Sequence, residues 1–158
     1  MTFAVRSVVT AGVGEPVSPV TVPRVAVVVL DTNIVLDLLL FEDPAVVPLR
    51  QTIENGTAQF LTTIAMREEF ERVLAYPKIA RWRQSHGKTS DEMLALFDRL
   101  SQSTAPAAST PVRCTDPDDQ IFIDLAVAHK AFLLTKDRAV LSLRKRLAGL
   151  GAIVQSTW

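Results

Sequence analysis

Residues 25–33 read Val25-Ala26-Val27-Val28-Val29-Leu30-Asp31-Thr32-Asn33. An unbroken apolar, largely β-branched run is what a strand needs when helices cover both faces of its sheet. Asp31 follows at once, where such a strand hands over to a helix. Ligands of open parallel α/β sheets bind outside the carboxyl ends of the strands. Asp31 therefore stands where chemistry is expected, and the rest of the chain can be read from it.

Working outward, strands and helices alternate. A helix is expected over 34–41, broken by Pro44 and Pro48, and another over 50–54 ending at Asn55-Gly56. Residues 59–63 form a second strand. A helix over 64–76 stops before Pro77, whose ring disfavours a helical residue ahead of it. Residues 78–88 are a basic stretch with Trp82, and Ser90 caps a helix over 91–100. A small-residue connector over 101–111 leads to a short third strand at 112–114. A helix over 116–131, a strand at 132–135, a helix over 138–148 and a last strand at 152–154 complete the pattern. Alternation of this kind implies a parallel sheet with helices on both faces. Residues 1–23, with Gly12, Gly14, Pro16, Pro19 and Pro23 and almost no charge, read as a flexible extension, leaving 24–158 as one domain.

Composition bounds the partners. Lys plus Arg and Asp plus Glu are 17 each among 158 residues, so no global positive field attracts nucleic acid. Any RNA contact must rest on a local patch. Lys78, Arg81, Arg83 and Lys88, with Trp82 for base stacking, form one candidate, and Arg144-Lys145-Arg146 another. Cys114 is the only cysteine, which excludes an internal disulfide and a cysteine-based zinc site. No apolar stretch reaches the roughly 20 residues of a membrane helix, and the start of the chain lacks a signal-peptide pattern. A cytoplasmic location is expected. Neither His86 nor His129 belongs to a triad or a metal-ligand spacing.

Four acids fall at the ends of these strands or at helix starts beside them: Asp31, Glu69, Asp119 and Asp137. Each has a structural alternative. Asp31 and Asp137 could cap the helices that follow. In Asp116-Pro117-Asp118-Asp119, Asp116 is an N-cap, Pro117 a first helical residue, and the next acids suit the helix dipole. On helical wheels Glu69 projects with Met66, Phe70 and Val73, and Asp119 with Phe122 and Ala126, while Asp124 points away toward solvent. As a set at one sheet edge, four carboxylates repel unless a cation offsets them. An all-oxygen donor group suits Mg2+ or Mn2+.

The motifs Val28-Val29-Leu30-Asp31-Thr32-Asn33, Glu69 within residues 67–74, Asp116-Pro117-Asp118-Asp119, and Leu134-Thr135-Lys136-Asp137 resemble the PIN-domain family. The likeness is to the bacterial branch described as toxin components of toxin–antitoxin pairs, and it runs from Val25 to Trp158. It implies a three-layer α/β/α fold with a central parallel sheet and a Mg2+- or Mn2+-dependent endoribonuclease. Asp31, Glu69, Asp119 and Asp137 would be catalytic and hold the metal, with Asn33, Thr135 and Asp118 in support. It further implies an antitoxin protein and a homodimer. Leu36, Leu39, Leu40 and Phe41 are either core or a rim that receives a partner. Two other readings remain open here. A haloacid-dehalogenase-like phosphatase also places an Asp after its first strand but wants a second at the position of Asn33. A receiver-like module would bind magnesium without catalysis.

Overall fold

The apolar run forms the middle of the sheet. The structure is a computed structural model that describes residues 24–158, so the proposed extension at 1–23 lies outside the described residues. Strand β1 (Ala26–Leu30) is followed by helix α1 (Thr32–Leu39), a 3-10 turn at Pro44–Val46 and α2 (Val47–Glu54). Then come β2 (Ala58–Thr62), α3 (Ile64–Leu74), α4 (Pro77–Ser85), α5 (Ser90–Leu100) and β3 (Ser101–Ser103). A 3-10 turn at Pro117–Asp119 leads into α6 (Gln120–Ala128), β4 (Phe132–Leu134), α7 (Arg138–Leu141), α8 (Arg144–Ala148) and β5 (Ile153–Gln155). The strands lie in the order β3-β2-β1-β4-β5 and every pairing is parallel.

Side-chain alternation along the strands builds a core on each face. Val28, Leu30, Phe60 and Leu134 point into one cluster, against Ile34 and Leu38 of α1, Phe70 of α3 and Phe97 of α5. Val29, Leu61, Leu133 and Val154 point into the other, against Phe122, Ile123 and Ala126 of α6 and Leu147 of α8. The sheet is thus flanked by helices on both sides, the three-layer α/β/α arrangement that the strand pattern implied. Phe97 is 2% exposed; it stacks on Phe70 at 5.3 Å and meets Phe60 edge-on at 5.4 Å. Outside this core, Arg67 makes a bidentate pair with Asp98 at 2.7 and 2.9 Å, tying α3 to α5.

Several boundaries differ from those read in the sequence. The expected third strand at 112–114 is irregular, and the third strand is instead Ser101–Ser103, which looked like connector. Its register of Phe60 to Ser101 and Thr62 to Ser103 shows why. An edge strand needs only one neighbour's backbone and no apolar alternation. The basic stretch after Tyr76 is helical, because Pro77 takes the first helical position, where its missing N–H costs nothing. Thr89 rather than Ser90 is the cap of α5, in a reciprocal capping box with Glu92. The helix expected over 138–148 is split into α7 and α8.

Removing Phe97 should therefore cost far more than removing a cap. Phe97→Ala is expected to lower unfolding free energy by about 3–5 kcal/mol, and Thr89→Ala by about 1 kcal/mol. Urea melts followed by circular dichroism measure both; a reversed order would disprove this account of the core.

Candidate metal centre

The strand order reverses beside β1. The chain runs outward from β1 to β2 and β3, then returns to place β4 on the other side. Such a switch point opens a crevice at the carboxyl ends of the two strands. Leu30 and Leu134 are register partners, so the next residues, Asp31 and Thr135, face each other across the crevice. The Asp31 amide donates to the Leu134 carbonyl at 3.0 Å. The Thr135 hydroxyl donates to Asp31 Oδ2 at 2.7 Å, joining residues 104 apart in sequence. The same hydroxyl accepts from the Asp137 amide at 3.0 Å.

The capping alternatives now separate. Asp31 stands at the N-cap position of α1 but makes no side-chain capping bond. It is 7% exposed, and burial raises its carboxyl pKa. The Thr135 hydroxyl and the nearby amide of Asn33 oppose that rise, and the Asp137 charge adds to it. Asp137 does cap α7, its Oδ1 accepting from Ala139 and Val140 at 2.8 and 3.3 Å. Its Oδ2 is left for other work. Asp116 caps the 3-10 turn through the Asp118 amide at 2.9 Å, as its motif suggested, whereas Asp119 caps nothing.

Asp119 is the most perturbed of the set. Its carboxyl is pushed up to about 7, chiefly by burial, with the charges of Asp137, Asp31 and Asp116 and a hydrogen bond with Asp137 acting in the same direction. Asp119 Oδ2 is buried without a hydrogen-bond partner. Glu69 reaches the same group from α3. Thr32 Oγ1 donates to its Oε2 at 3.0 Å, burial raises its pKa, and the Asp31 and Asp118 charges act in the same direction. Asp31, Glu69, Asp119 and Asp137 are thus brought into one electrostatic group, with Thr135 bonded within it and the exposed Asn33 and Asp118 at its border.

The donors fit a hard divalent cation in chemistry: carboxylate oxygens only, one of them buried and unpartnered. Among the described residues, no three acids, histidines or cysteines form a ready-made coordination sphere.

The surrounding features are mixed. Of the basic patch on α4, Lys78 and Arg81 are exposed. Arg83 donates to the Lys88 carbonyl at 3.0 Å, and Lys88 to the Leu40 carbonyl at 2.8 Å, so both hold structure. Trp82 is stacked on His86 at 3.7 Å, which takes one of its faces, and meets Phe41 in a T-shaped arrangement at 4.8 Å. Arg144, Lys145 and Arg146 are exposed. Leu36, Leu39 and Leu40 are core, at 4%, 0% and 0% exposed, and offer no rim to a partner. Asp124 is half-buried and accepts from the Thr110 amide and Gln120 Nε2, rather than facing solvent as its wheel position suggested. Sequence reasoning also missed Thr32, and the Lys136–Asp37 ion pair beside the site. Thr32 carried no signal, since a hydroxyl after an Asp reads as an ordinary helix start.

A family model for the PIN domain matches residues 27–139, and the chain belongs to the PIN domain family. PIN domains are generally nucleases and typically use divalent metals. In fold the chain is similar to the structure of VapBC2 from Rickettsia felis bound to a DNA fragment from its promoter. That match has a TM-score of 0.55 at 14% identity and covers 82% of this chain and 97% of that one. A search of curated proteins finds no match. No helix among the described residues is long and apolar enough to cross a membrane.

The raised pKa of Asp119 sets a pH dependence. The folded chain holds this proton more tightly than the unfolded one, so the stability it contributes is present at low pH. It is lost as pH rises from 3.8 to about 7. In chelator, Asp119→Asn is expected to match wild type near pH 4 and to melt higher at pH 8. The gain is roughly 2–4 °C for each kcal/mol of repulsion removed. A lower melting temperature for the variant at both pH values would instead mark Asp119 as a structural residue.

Proposed function

We propose that this chain is a divalent-metal-dependent endoribonuclease and the toxin component of a toxin–antitoxin pair. The observation that carries the reading is how the acids divide their oxygens. Asp31 gives Oδ2 to Thr135, Asp137 gives Oδ1 to the start of α7, Glu69 gives Oε2 to Thr32, and Asp119 Oδ2 has no partner. Each acid is held by a neighbour or by burial and still has an oxygen to offer a cation. Asp31, Glu69, Asp119 and Asp137 would hold Mg2+ or Mn2+. When bound, such an ion lowers the pKa of a water and offsets charge on the phosphate.

The remaining work falls to the chain itself. Thr135 orients Asp31, Thr32 orients Glu69, and the exposed Asn33 and Asp118 would support the site from its border. Carboxylates alone repel a phosphodiester, so RNA must be drawn by cations elsewhere; within the two candidate patches, Lys78, Arg81 and the 144–146 cluster are exposed. A phosphatase using Asp31 as nucleophile is disfavoured, because that side chain is buried, tied to Thr135, and followed two positions later by Asn33. The toxin half of the proposal draws on the motif resemblance and on the fold shared with VapBC2, a complex solved on its promoter DNA. An acidic crevice suits an arginine from a partner, which would compete with the metal. The chain is further inferred to act in the cytoplasm and to self-associate as a dimer.

Two assays separate the halves of the proposal. Purified chain should cut single-stranded RNA in Mg2+ or Mn2+ and stop in chelator, with Asp31→Asn, Glu69→Gln, Asp119→Asn and Asp137→Asn each lower by orders of magnitude. Metal-independent cleavage, or an acyl-phosphate on Asp31, would overturn the nuclease reading. Expression of the chain alone should slow growth, and Asp31→Asn should relieve it. Harmless, well-folded wild-type protein would remove the toxin half and leave the nuclease half standing.

A further inference from the structure

Between β3 and the 3-10 turn the chain crosses a long segment without regular structure, and part of it is held by side chains from α6. Gln120 is 5% exposed, yet its amide is fully engaged. Its Oε1 accepts from the Cys114 amide at 2.7 Å. Its Nε2 donates to the Val112 carbonyl at 2.9 Å and to Asp124 Oδ1 at 2.9 Å. Asp124, one turn further along the helix, takes the Thr110 amide with the same oxygen at 3.0 Å. Two residues of one helix therefore replace the ladder that the segment 110–114 lacks.

Their position matters more than their number. Gln120 follows Asp119 directly, and the clamped segment ends two residues before Asp116, the cap of the turn that carries Asp118 and Asp119. The turn is thus anchored on both sides by the same amide. Asp119 feels the charges of Asp137 and Asp31, a placement that repulsion opposes and that a loosely held turn would relax. We propose that Gln120, with Asp124, is a positioning pair that clamps residues 110–114 to α6 and so holds Asp119 in place for the cation before any metal arrives. The inference rests on the reading of Asp119 as a metal ligand, and it needs nothing from the choice of RNA as substrate.

The test is metal affinity and amide exchange rather than turnover. Gln120→Leu keeps bulk and removes all three bonds; Asp124→Leu removes two; Asp124→Asn keeps the Oδ1 acceptor. Outer groups that orient a ligand typically change metal affinity by about 10–100-fold. Calorimetric titration with Mn2+ should show a loss of that size for both leucine variants and near-wild-type binding for Asp124→Asn. A Gln120→Leu protein that melts lower but binds Mn2+ as tightly as wild type would overturn the proposal and leave the nuclease reading intact. Failure of the wild-type chain to bind Mn2+ would overturn both. Should Gln120→Leu fail to fold, hydrogen exchange on the metal-free wild type decides. The Thr110 and Cys114 amides should be protected in chelator, and free exchange that slows only on metal addition would refute a pre-set clamp.

Discussion

The pairing of β1 with β4 governs what this protein can do. These strands are distant in sequence, and only a parallel register that sets Leu30 beside Leu134 brings Asp31 next to Thr135. A slip of one residue would turn Asp31 into the opposite face and bury a charge in the apolar layer. The register is fixed on both faces, since Val28 and Leu30 serve one core and Val29 and Leu133 the other. The hydrophobic effect that builds the layers therefore also sets, to within one hydrogen bond, where the acids meet.

That meeting runs against local stability. Burial and mutual repulsion raise the pKa values of Asp31, Glu69 and Asp119 together. The chain tolerates this because the strain is confined to one edge of a well-packed sandwich. Sites that break the rules of packing and charge while the rest obeys them are where function resides. Hydroxyls limit the damage: Thr32 and Thr135 each donate to one carboxylate, using one oxygen and leaving the other.

Much of the architecture was legible because it rests on periodicity. The strand at 25–30, the acids at strand ends and the stops at Pro77 and Asn55-Gly56 all follow from local chemistry. What escaped depended on distant partners. Ser101–Ser103 has no strand signature and becomes β3 only by pairing with β2. Residues 112–114 have one, and lose it because Gln120 supplies their hydrogen bonds from α6. Trp82, which looked free to stack on a base, already has His86 stacked on one face. The four acids could be named from the sequence. Which of their oxygens were already engaged could not.

The Thr135 hydroxyl carries a consequence of its own. A backbone N–H can only donate, so the Asp137 amide requires a lone pair from Thr135. While Asp31 is ionised, the single hydroxyl hydrogen points toward its Oδ2. This one-way chain, amide to hydroxyl to carboxylate, keeps Oδ2 an acceptor as long as the carboxylate carries its charge. A proton taken up by Asp31 without breaking that chain goes to Oδ1, the oxygen that a cation would also need. Acid and metal therefore compete for one atom, and the backbone of a different strand end decides which atom it is.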